Sequence, residues 1–175
     1  SCNYTGEIGI YLYGSPFLYP INKDCGTLLD WKNLLGKVLM KILAFFAHPD
    51  DETIFCGGAL SYLAQQGAEV HFWSATRGEG GERGDPPLCE RKSLGEVREE
   101  ELRCAVRALG GAAVSFLGYL DPLVGPENEL YPFTDDPARL VDLLTRRLSA
   151  LKPEVIIPHG AGGEYGHPPH ILAHE

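Results

Sequence analysis

From residue 41 onward, apolar runs alternate with segments in which apolar residues recur at helical spacing. The runs predict buried strands and are, in chain order, KILAFFA (41–47), EVHFWSAT (69–76), AVSFLGYL (113–120) and EVIIP (154–158). The helical spacing predicts helices over 53–67, 96–110 and 136–152. In the second of these, Leu102, Val106 and Leu109 share one side, which is typical of an amphipathic helix.

Strands that alternate with amphipathic helices predict parallel βαβ units and an α/β fold. We expect a Rossmann-like layered sheet that is mostly parallel, with helices on both faces. The 175 residues, 44% of them hydrophobic, predict a single domain. Residues 1–39 show no sustained period and are predicted to be an irregular extension of the domain at 40–175. Met40 is the only methionine, which suggests the hypothesis that it is the natural initiator and that 1–39 is non-native.

Polar and glycine-rich segments follow each predicted strand. Residues 48–52 follow the first strand, 77–87 the second, Asp121 the third and 160–170 the fourth. In open α/β sheets, ligand sites form outside the carboxyl ends of the strands. We therefore expect these segments to meet at one edge of the sheet.

Net charge, cysteine content and the length of the apolar runs indicate which classes of partner and which location to expect. The net charge of -9 and the sequence pI of ≈ 5.1 argue against nucleic acid or an anionic membrane surface as the main partner. The five cysteines form no CxxC pair, and an odd number is typical of reduced thiols in the cytoplasm. No apolar run approaches the roughly 20 residues of a membrane span. We expect a cytoplasmic protein with a neutral or small substrate, and self-association is left open.

The segment FFAHPDDETIF places a histidine and acidic residues between two apolar runs. A helix start explains Pro49 and the carboxylates, because proline and acidic residues are favoured there. It does not explain His48, which lies three residues before Asp51, a spacing that directs both side chains to one side. His167 and His170 repeat this spacing after the last strand.

Two histidines and one carboxylate from these loops would form a three-ligand site with an open position for water, which is typical of catalytic zinc. A remaining carboxylate would accept a proton from that water, and a remaining histidine would stabilise the oxyanion that follows attack. Each motif alone is more typical of a helix start or a surface loop. Their joint position after strands favours the metal site.

The other histidines and the glycine-rich loop have structural interpretations. His71 lies in a predicted strand and is expected to pack there. His159 and His174 are expected to be ordinary polar residues, with support of metal ligands as the alternative. GEGGERG lacks the GK[ST] ending of a phosphate loop and the spacing of a dinucleotide fingerprint, so it is predicted to be a mobile flap.

Four motifs together resemble the LmbE-like, or PIG-L, deacetylase family: AHPDDE, TRGEGG, the pair Arg98 and Glu101, and YGHPPH. The resemblance extends from about Lys41 to the C-terminus. Members of this family are zinc enzymes that remove the acetyl group from N-acetylglucosamine-type sugars in glycolipids, mycothiol or bacillithiol precursors and related metabolites. The resemblance implies a hydrolase that uses a zinc-bound water on a small N-acetylated sugar or glycoconjugate.

Carried over position by position, the resemblance implies that His48, Asp51 and His170 hold the zinc ion. It implies that Asp50 is the general base. It further implies that His167 stabilises the tetrahedral intermediate or protonates the leaving amine. Fe²⁺ in place of zinc is left open, because the residue types suit either metal.

Substrate contacts are implied for Arg98, Tyr165 and Asp121. The sequence departs from the family pattern at HPDH, which is HPPH here, so Pro169 replaces a carboxylate that would hydrogen-bond a neighbouring histidine. Loss of such a partner commonly costs about 10- to 100-fold in affinity or activity. The chain also ends at Glu175, whereas family members continue, so the domain is expected to be C-terminally truncated and frayed near its end.

Two alternatives to a sugar deacetylase remain. An amidase acting on a non-sugar amide would use the same metal centre, because the motifs build that centre and not the sugar pocket. A decayed relative would keep the sheet and act as a binding protein without turnover. Metal analysis combined with an acetate-release assay separates these functions.

Overall fold

The computed structural model describes residues 40–175, and the predicted irregular segment 1–39 lies outside the described residues. The strands are β1 (Lys41–Phe46), β2 (Glu69–Ser74), β3 (Ala113–Phe116) and β4 (Val155–Ile157). The helices are α1 (Asp51–Gln65), α2 (Leu94–Leu109), α3 (Pro137–Leu151), the single turn α4 (Gly163–Gly166) and α5 (Pro168–His174). A 3₁₀ turn at Arg91–Ser93 precedes α2.

The strands form a 4-stranded sheet in the order β3-β2-β1-β4, and every neighbouring pair is parallel. Ile42 of the central strand β1 pairs with Val70 of β2 on one side and with Val155 of β4 on the other. Because all the strands run in one direction, the loops that follow them emerge at the same edge of the sheet.

Side chains of β1 alternate between two apolar clusters. Leu43 and Phe45 pack in a cluster that includes Leu140 of α3. Ile42 and Ala44 pack in the other cluster, whose members from α1 and α2 are Leu60, Leu102 and Val106. Burial of each large apolar side chain contributes about 1.5–3 kcal/mol to folding. The predicted α/β architecture, with helices on both faces of a parallel sheet, is therefore confirmed.

The long helices begin and end within two residues of the predicted bounds, because their ends carry clear signals. The Asp136 side chain accepts a hydrogen bond from the backbone N–H of Arg139 at 3.0 Å, and Pro137 opens α3. Helix α5 was not predicted, because its HPPH start was interpreted as a loop. Among residues 40–175, no helix has both the length and the apolar character that crossing a membrane requires.

Candidate metal centre and active site

Loops that follow the four strands surround one cleft of about 410 Å³ at the carboxyl edge of the sheet. The cleft is lined by all the residues to which the family resemblance gives a metal-binding, catalytic or substrate-binding role, namely His48, Asp50, Asp51, Arg98, Asp121, Tyr165, His167 and His170. The structure thus brings these residues together, whereas their individual roles stay predictions.

Three buried side chains converge on one point at the bottom of the cleft. His48 and Asp51 come from the turn between β1 and α1, and His170 comes from α5. His48 Nδ1 lies 3.3 Å from Asp51 Oδ2, and His170 Nε2 lies 3.3 Å from Asp51 Oδ1. The two imidazole nitrogens are themselves 3.3 Å apart. One donor atom from each residue lies within 4.8 Å of the others, as a shared metal ion requires.

Hydrogen-bond partners determine which imidazole nitrogen faces this centre. His48 Nε2 lies 3.2 Å from Asp121 Oδ1, and His170 Nδ1 lies 2.8 Å from Glu164 Oε2. A ring N–H donates to each carboxylate, so His48 Nδ1 and His170 Nε2 present lone pairs to the centre. The carboxylate of Asp51 adds its own lone pairs. Facing lone pairs repel one another unless a cation lies between them, so this donor set fits a metal ion.

Without a metal ion, the same acceptors favour a proton. Burial disfavours a charged ring at His48, but hydrogen bonds to Asp121 and Asp51 outweigh it and raise the pKa of His48 from 6.5 to about 9. Burial also disfavours the ionised form of Asp51, yet the surrounding imidazoles hold its pKa well below the usual range. Metal ions and protons therefore compete for the centre.

His159 and Glu164 form a second layer beneath the centre. For His159 this position was only the alternative interpretation of the sequence, and that of Glu164 was not predicted. The buried His159 Nε2 accepts from the Ala47 N–H at 3.0 Å, and it lies 3.2 Å from Asp51 Oδ2. Its Nδ1–H donates to Glu164 Oε2 at 2.9 Å, and its ring stacks on His170 with centroids 3.9 Å apart. The expectation that His159 is an ordinary polar residue is corrected. Its position directly after β4 was the available signal.

His159, Glu164 and His170 also bring one donor atom each within 4.8 Å, which makes them a second candidate metal group. Here, however, the carboxylate oxygen Oε2 of Glu164 accepts N–H groups from both imidazoles. This group is therefore a hydrogen-bonded support of the first one. His174 contributes to it, because its Nδ1–H donates to the His159 carbonyl oxygen at 2.7 Å, so His174 also has a supporting position.

Asp50 projects from the same turn as the ligand residues and lines the same cleft, but it is not one of the three convergent donors. Its side chain is 53% exposed, and its φ of 101° is in the left-handed region that non-glycine residues rarely adopt. Arg98 Nη2 donates to Asp50 Oδ2 at 2.8 Å and to the Pro49 carbonyl oxygen at 2.6 Å. Buried Glu52 accepts the Asp50 N–H at 3.2 Å. Burial raises the pKa of Asp50, although the Arg98 charge opposes that shift.

The glycine-rich loop encloses the Arg98 guanidinium. Arg98 Nη1 donates to the Gly78 carbonyl oxygen at 3.3 Å, and a Cβ atom at Gly78 or Gly81 would overlap the guanidinium. Glycine leaves room for the guanidinium at both positions, and the φ of 69° at Gly78 also favours glycine. Arg91 donates from outside to the Glu79 carbonyl oxygen at 3.0 Å. The loop that was predicted to be a flap is thus packed and hydrogen-bonded around the arginine that holds Asp50.

His167 lies beside the centre without the support that the other imidazoles have. Its ring centroid is 4.5 Å from that of His170 and 5.2 Å from that of His48. Its Nδ1 is buried and has no hydrogen-bond partner among residues 40–175. Burial and the neighbouring imidazoles lower the pKa of His167 from 6.5 to about 4. The residue two positions later is Pro169, which offers no side-chain acceptor.

Two of the implied substrate contacts, Asp121 and Tyr165, differ in how many hydrogen bonds they already make within the protein. Asp121 Oδ1 pairs with His48, and Asp121 Oδ2 accepts the Gly80 N–H at 3.2 Å. Tyr165 is exposed at the cleft, with its ring 5.5 Å from that of His167. The predicted fraying near the end of the chain is not what the structure shows, because His170 is buried in α5.

Comparison with known proteins shows which family and which fold this chain is similar to. A family model described as PIG-L, GlcNAc-PI de-N-acetylase, matches residues 43–175. A protein of Rhodococcus erythropolis (strain PR4) named 1D-myo-inositol 2-acetamido-2-deoxy-alpha-D-glucopyranoside deacetylase is 38% identical over 147 residues, covering 77% of this chain and 50% of its own. A protein of the same name from Corynebacterium efficiens is 37% identical over 167 residues, covering 86% and 51%. The chain therefore spans about half the length of these relatives.

Solved structures share the fold. The N,N'-diacetylchitobiose deacetylase of Pyrococcus horikoshii aligns with a TM-score of 0.60 and 25% identity, covering 87% of this chain and 57% of its own. GalB, the 4-carboxy-2-hydroxymuconate hydratase of Pseudomonas putida KT2440, aligns with a TM-score of 0.55 and 27% identity, covering 77% and 52%. Proteins of this fold thus include both a deacetylase and a hydratase.

Proposed function

The chain belongs to the PIG-L family, and we propose on this basis that it is a metal-dependent hydrolase that removes the acetyl group from an N-acetylglucosamine-type sugar or glycoconjugate. One observation carries the proposal. Lone pairs of His48, Asp51 and His170 converge at the bottom of a cleft in which the carboxylate of Asp50 is left over. Two imidazoles and one carboxylate are the ligand set of many catalytic zinc sites.

Zn²⁺ is the proposed metal, held by His48, Asp51 and His170, and Fe²⁺ is the alternative that the same ligand types accept. When bound, such an ion would polarise the amide carbonyl and lower the pKa of water. Glu164 and Asp121 fix the tautomers of the two histidine ligands from behind.

Asp50 is proposed as the proton acceptor. A water molecule that attacks the amide carbonyl must lose a proton, and the Asp50 carboxylate is the exposed base next to the ligands. Arg98 fixes that carboxylate by donating to it and to the preceding carbonyl oxygen. The C–N bond then breaks, and Asp50 returns the proton to the departing amine nitrogen.

His167 is proposed to stabilise the tetrahedral intermediate. A charged imidazolium has an N–H on both nitrogens, and the buried Nδ1 has no acceptor among the described residues. The lowered pKa agrees with a neutral ring at pH 7. The hydrogen then lies on Nε2, which is left to donate to the developing oxyanion.

Tyr165 is the best placed of the implied substrate contacts, because it is exposed at the cleft while Arg98 and Asp121 already have protein partners. The proposed substrate is a small N-acetylated sugar or glycoconjugate. Free cysteines at 56, 89 and 104 suit the proposed cytoplasmic location. Self-association stays a prediction.

Substitution of the two adjacent aspartates tests the proposal. Asp51→Asn removes an anionic ligand and is expected to abolish both metal binding and acetate release. Asp50→Asn leaves the ligands in place and is expected to retain metal while turnover falls by about 10²- to 10⁴-fold. Metal content per chain and acetate release from an N-acetylglucosamine glycoside are the two measurements. Asp142→Asn, an exposed change on α3, is the matched control.

The outcomes separate the competing functions. Equal behaviour of the two aspartate variants would overturn the assigned roles. Metal binding without acetate release from any acetylated sugar would favour a binding protein. Release from simple non-sugar amides in preference to sugars would favour an amidase. Hydration of a carbon–carbon double bond, the type of activity in the name of GalB, would move the protein out of the amide hydrolases.

A further inference from the structure

Glu52 is a buried acidic residue to which the proposed reaction gives no role. It lies in the first turn of α1, directly after Asp51, and only 2% of its surface is exposed. Within residues 40–175, no basic side chain lies near enough to compensate its charge. Burial of a carboxyl group without a charged partner is unfavourable unless hydrogen bonds satisfy its oxygens. The groups that bond to these oxygens therefore indicate what Glu52 does.

Each oxygen of Glu52 accepts one hydrogen bond from a neighbouring residue. Oε2 accepts the backbone N–H of Asp50 at 3.2 Å, and Oε1 accepts the hydroxyl hydrogen of Thr53 at 2.6 Å. The bond from Thr53 orients the carboxyl group. The other oxygen is thereby directed at the backbone of the residue that is proposed as the proton acceptor.

The backbone of Asp50 has an unfavourable conformation. Its φ of 101° and ψ of -30° lie outside the regions that non-glycine residues commonly adopt. Such a conformation persists only where the surrounding structure holds it. Asp50 occupies the N-cap position of α1, but its side chain makes no capping hydrogen bond and pairs with Arg98 instead. The contact that usually fixes an N-cap residue is therefore replaced by others.

The peptide group that joins Pro49 to Asp50 is held from two sides. Its carbonyl oxygen accepts a hydrogen bond from Arg98, and its N–H donates to Glu52. Without the Glu52 carboxyl group, only the bond to Arg98 would hold this peptide group. It could then rotate towards a commoner conformation, and the Asp50 side chain would move with it.

We propose that Glu52 is a positioning residue for the reaction. By accepting the Asp50 N–H, it holds the peptide group before Asp50 in the orientation that presents the Asp50 carboxylate to the cleft. This inference rests on the proposed function, in which Asp50 accepts the proton. Glu52 itself is not among the residues that line the cleft, so it acts through the Asp50 backbone.

Two substitutions of similar size test whether a hydrogen-bond acceptor is needed at Glu52. Glu52→Gln keeps an oxygen that can accept the Asp50 N–H, and its kcat is expected to stay within about 3-fold of that of the natural chain. Glu52→Met fills similar space without a strong acceptor, and kcat is expected to fall by about 10- to 100-fold while KM changes by less than about 3-fold. Metal content is expected to be unchanged, because Glu52 bonds to Asp50 and Thr53 and not to a ligand side chain.

Asp136→Ala is the control for loss of helix stability alone. The Asp136 side chain caps α3 by accepting the Arg139 N–H, and it lies outside the cleft. Removal of this cap is expected to lower the melting temperature by about 2–6 °C and to leave kcat unchanged. If Glu52→Met loses melting temperature but no more kcat than Asp136→Ala, Glu52 only caps α1 and the proposal is wrong.

Solution NMR of the chelated protein reports the Asp50 backbone independently of turnover. A left-handed φ brings the amide and α hydrogens of one residue close together. A strong cross-relaxation signal between them and slow amide exchange are expected for Asp50 in the natural chain and in Glu52→Gln, whereas Glu52→Met is expected to weaken the signal and speed the exchange.

Thr53→Val is a second variant for the case that Glu52→Met does not fold. It changes an exposed residue and removes only the bond that orients the Glu52 carboxyl group. Faster exchange of the Asp50 amide and a kcat lower by about 3-fold are expected. Unchanged values of both would contradict the positioning role.

The NMR and kinetic results together distinguish the positioning role from the reaction. A lower kcat with an unchanged Asp50 backbone, or loss of metal in Glu52→Met, would overturn the positioning role and leave the proposed function standing. A changed Asp50 backbone in Glu52→Met, combined with no acetate release by the natural chain, would support the hold of Glu52 on Asp50 and refute the proposed function.

Discussion

At the floor of the cleft, both ring nitrogens of His159 and of His170 lie within 3.3 Å of another polar group, whereas His167 at the rim has a buried Nδ1 with no partner among residues 40–175. The floor is buried and fixed by carboxylates such as Glu164. The rim holds the exposed carboxylate of Asp50, and one arginine fixes it. We propose that the floor determines metal binding and that the rim determines what is done to the substrate.

The largest expected effect at the rim is loss of the arginine. Arg98→Ala is expected to lower kcat by up to about 100-fold, because the Asp50 carboxylate loses the group that orients it. Since this role does not require contact with substrate, KM is expected to change by less than about 3-fold. Arg98→Lys keeps the charge but lacks the second guanidinium nitrogen, which donates to the Gly78 carbonyl oxygen, and intermediate activity is expected.

Steady-state kinetics with metal content as a check measures these effects. Arg107→Ala, a change at an exposed arginine of the same helix, is the control. A large rise in KM with unchanged kcat would instead make Arg98 a substrate ligand.

The corresponding experiment at the floor is Glu164→Ala. Removal of this carboxylate leaves the Nδ1–H groups of His159 and His170 without an acceptor, and the His170 ring loses the bond that orients it. Metal affinity is expected to fall by about 10- to 100-fold. Competition with a chelator measures the affinity, and Glu100→Ala on the surface of α2 is the control. An unchanged affinity would show that packing alone orients His170.

The sequence was sufficient for the parts of the molecule in which burial repeats along the chain. Apolar runs predicted β1 and β2, and helical spacing predicted α1, α2 and α3. The position of loops after parallel strands then brought His48 and His170 to one edge, although 122 residues separate them.

No apolar run or helical spacing in the sequence predicted the positions of His159 and Glu164, which support the candidate metal ligands. His159 depends on the Ala47 backbone 112 residues away and on Glu164, which has a left-handed φ of 57° within the single turn α4. Nothing in the spacing of these residues predicts their contact. Helix α5 was missed for the opposite reason, because two prolines were interpreted as loop residues although proline is well tolerated in the first turn of a helix.

A smaller effect at the floor is the release of a proton on metal binding. His48 in the metal-free protein has a pKa raised to about 9, so it is charged at pH 7.5, and a metal ion must displace that proton. We expect release of about one proton per metal ion at pH 7.5 and almost none well above pH 9. Calorimetry in buffers of different ionisation enthalpy measures the number released. Asp121→Asn removes one cause of the raised pKa of His48 and is expected to lower the number of protons released per metal ion.

The raised pKa of His48 also makes the thermal stability of the metal-free protein depend on pH. Because the folded-state pKa of His48 is above its unfolded value of 6.5, the stabilisation is complete below pH 6.5 and is lost as the pH rises through 9. The melting temperature of chelated protein is therefore expected to fall over this range, while that of metal-loaded protein changes less. Parallel curves for the two forms would contradict the assignment.

The smallest expected effect comes from giving His167 at the rim a carboxylate partner, as Glu164 is for His170 at the floor. Pro169→Asp places a carboxylate two residues after His167, whose buried Nδ1 has no partner in the described part of the chain and would gain an acceptor. The change also gives the HPDH pattern of the family. An acidic residue in the first turn of α5 also interacts favourably with the helix dipole, which offsets the loss of proline. The carboxylate is expected to raise the pKa of His167 from about 4, so that the ring more readily carries a hydrogen on both nitrogens and keeps the Nε2–H for the oxyanion, and to increase kcat/KM by about 3-fold. NMR titration of the imidazole and steady-state kinetics measure the two effects, and Pro169→Asn, which supplies an acceptor without charge, is the matched control. An unshifted His167 pKa in the aspartate variant would show that the new carboxylate does not reach Nδ1, and the difference between floor and rim would then lie in the backbone of the loop.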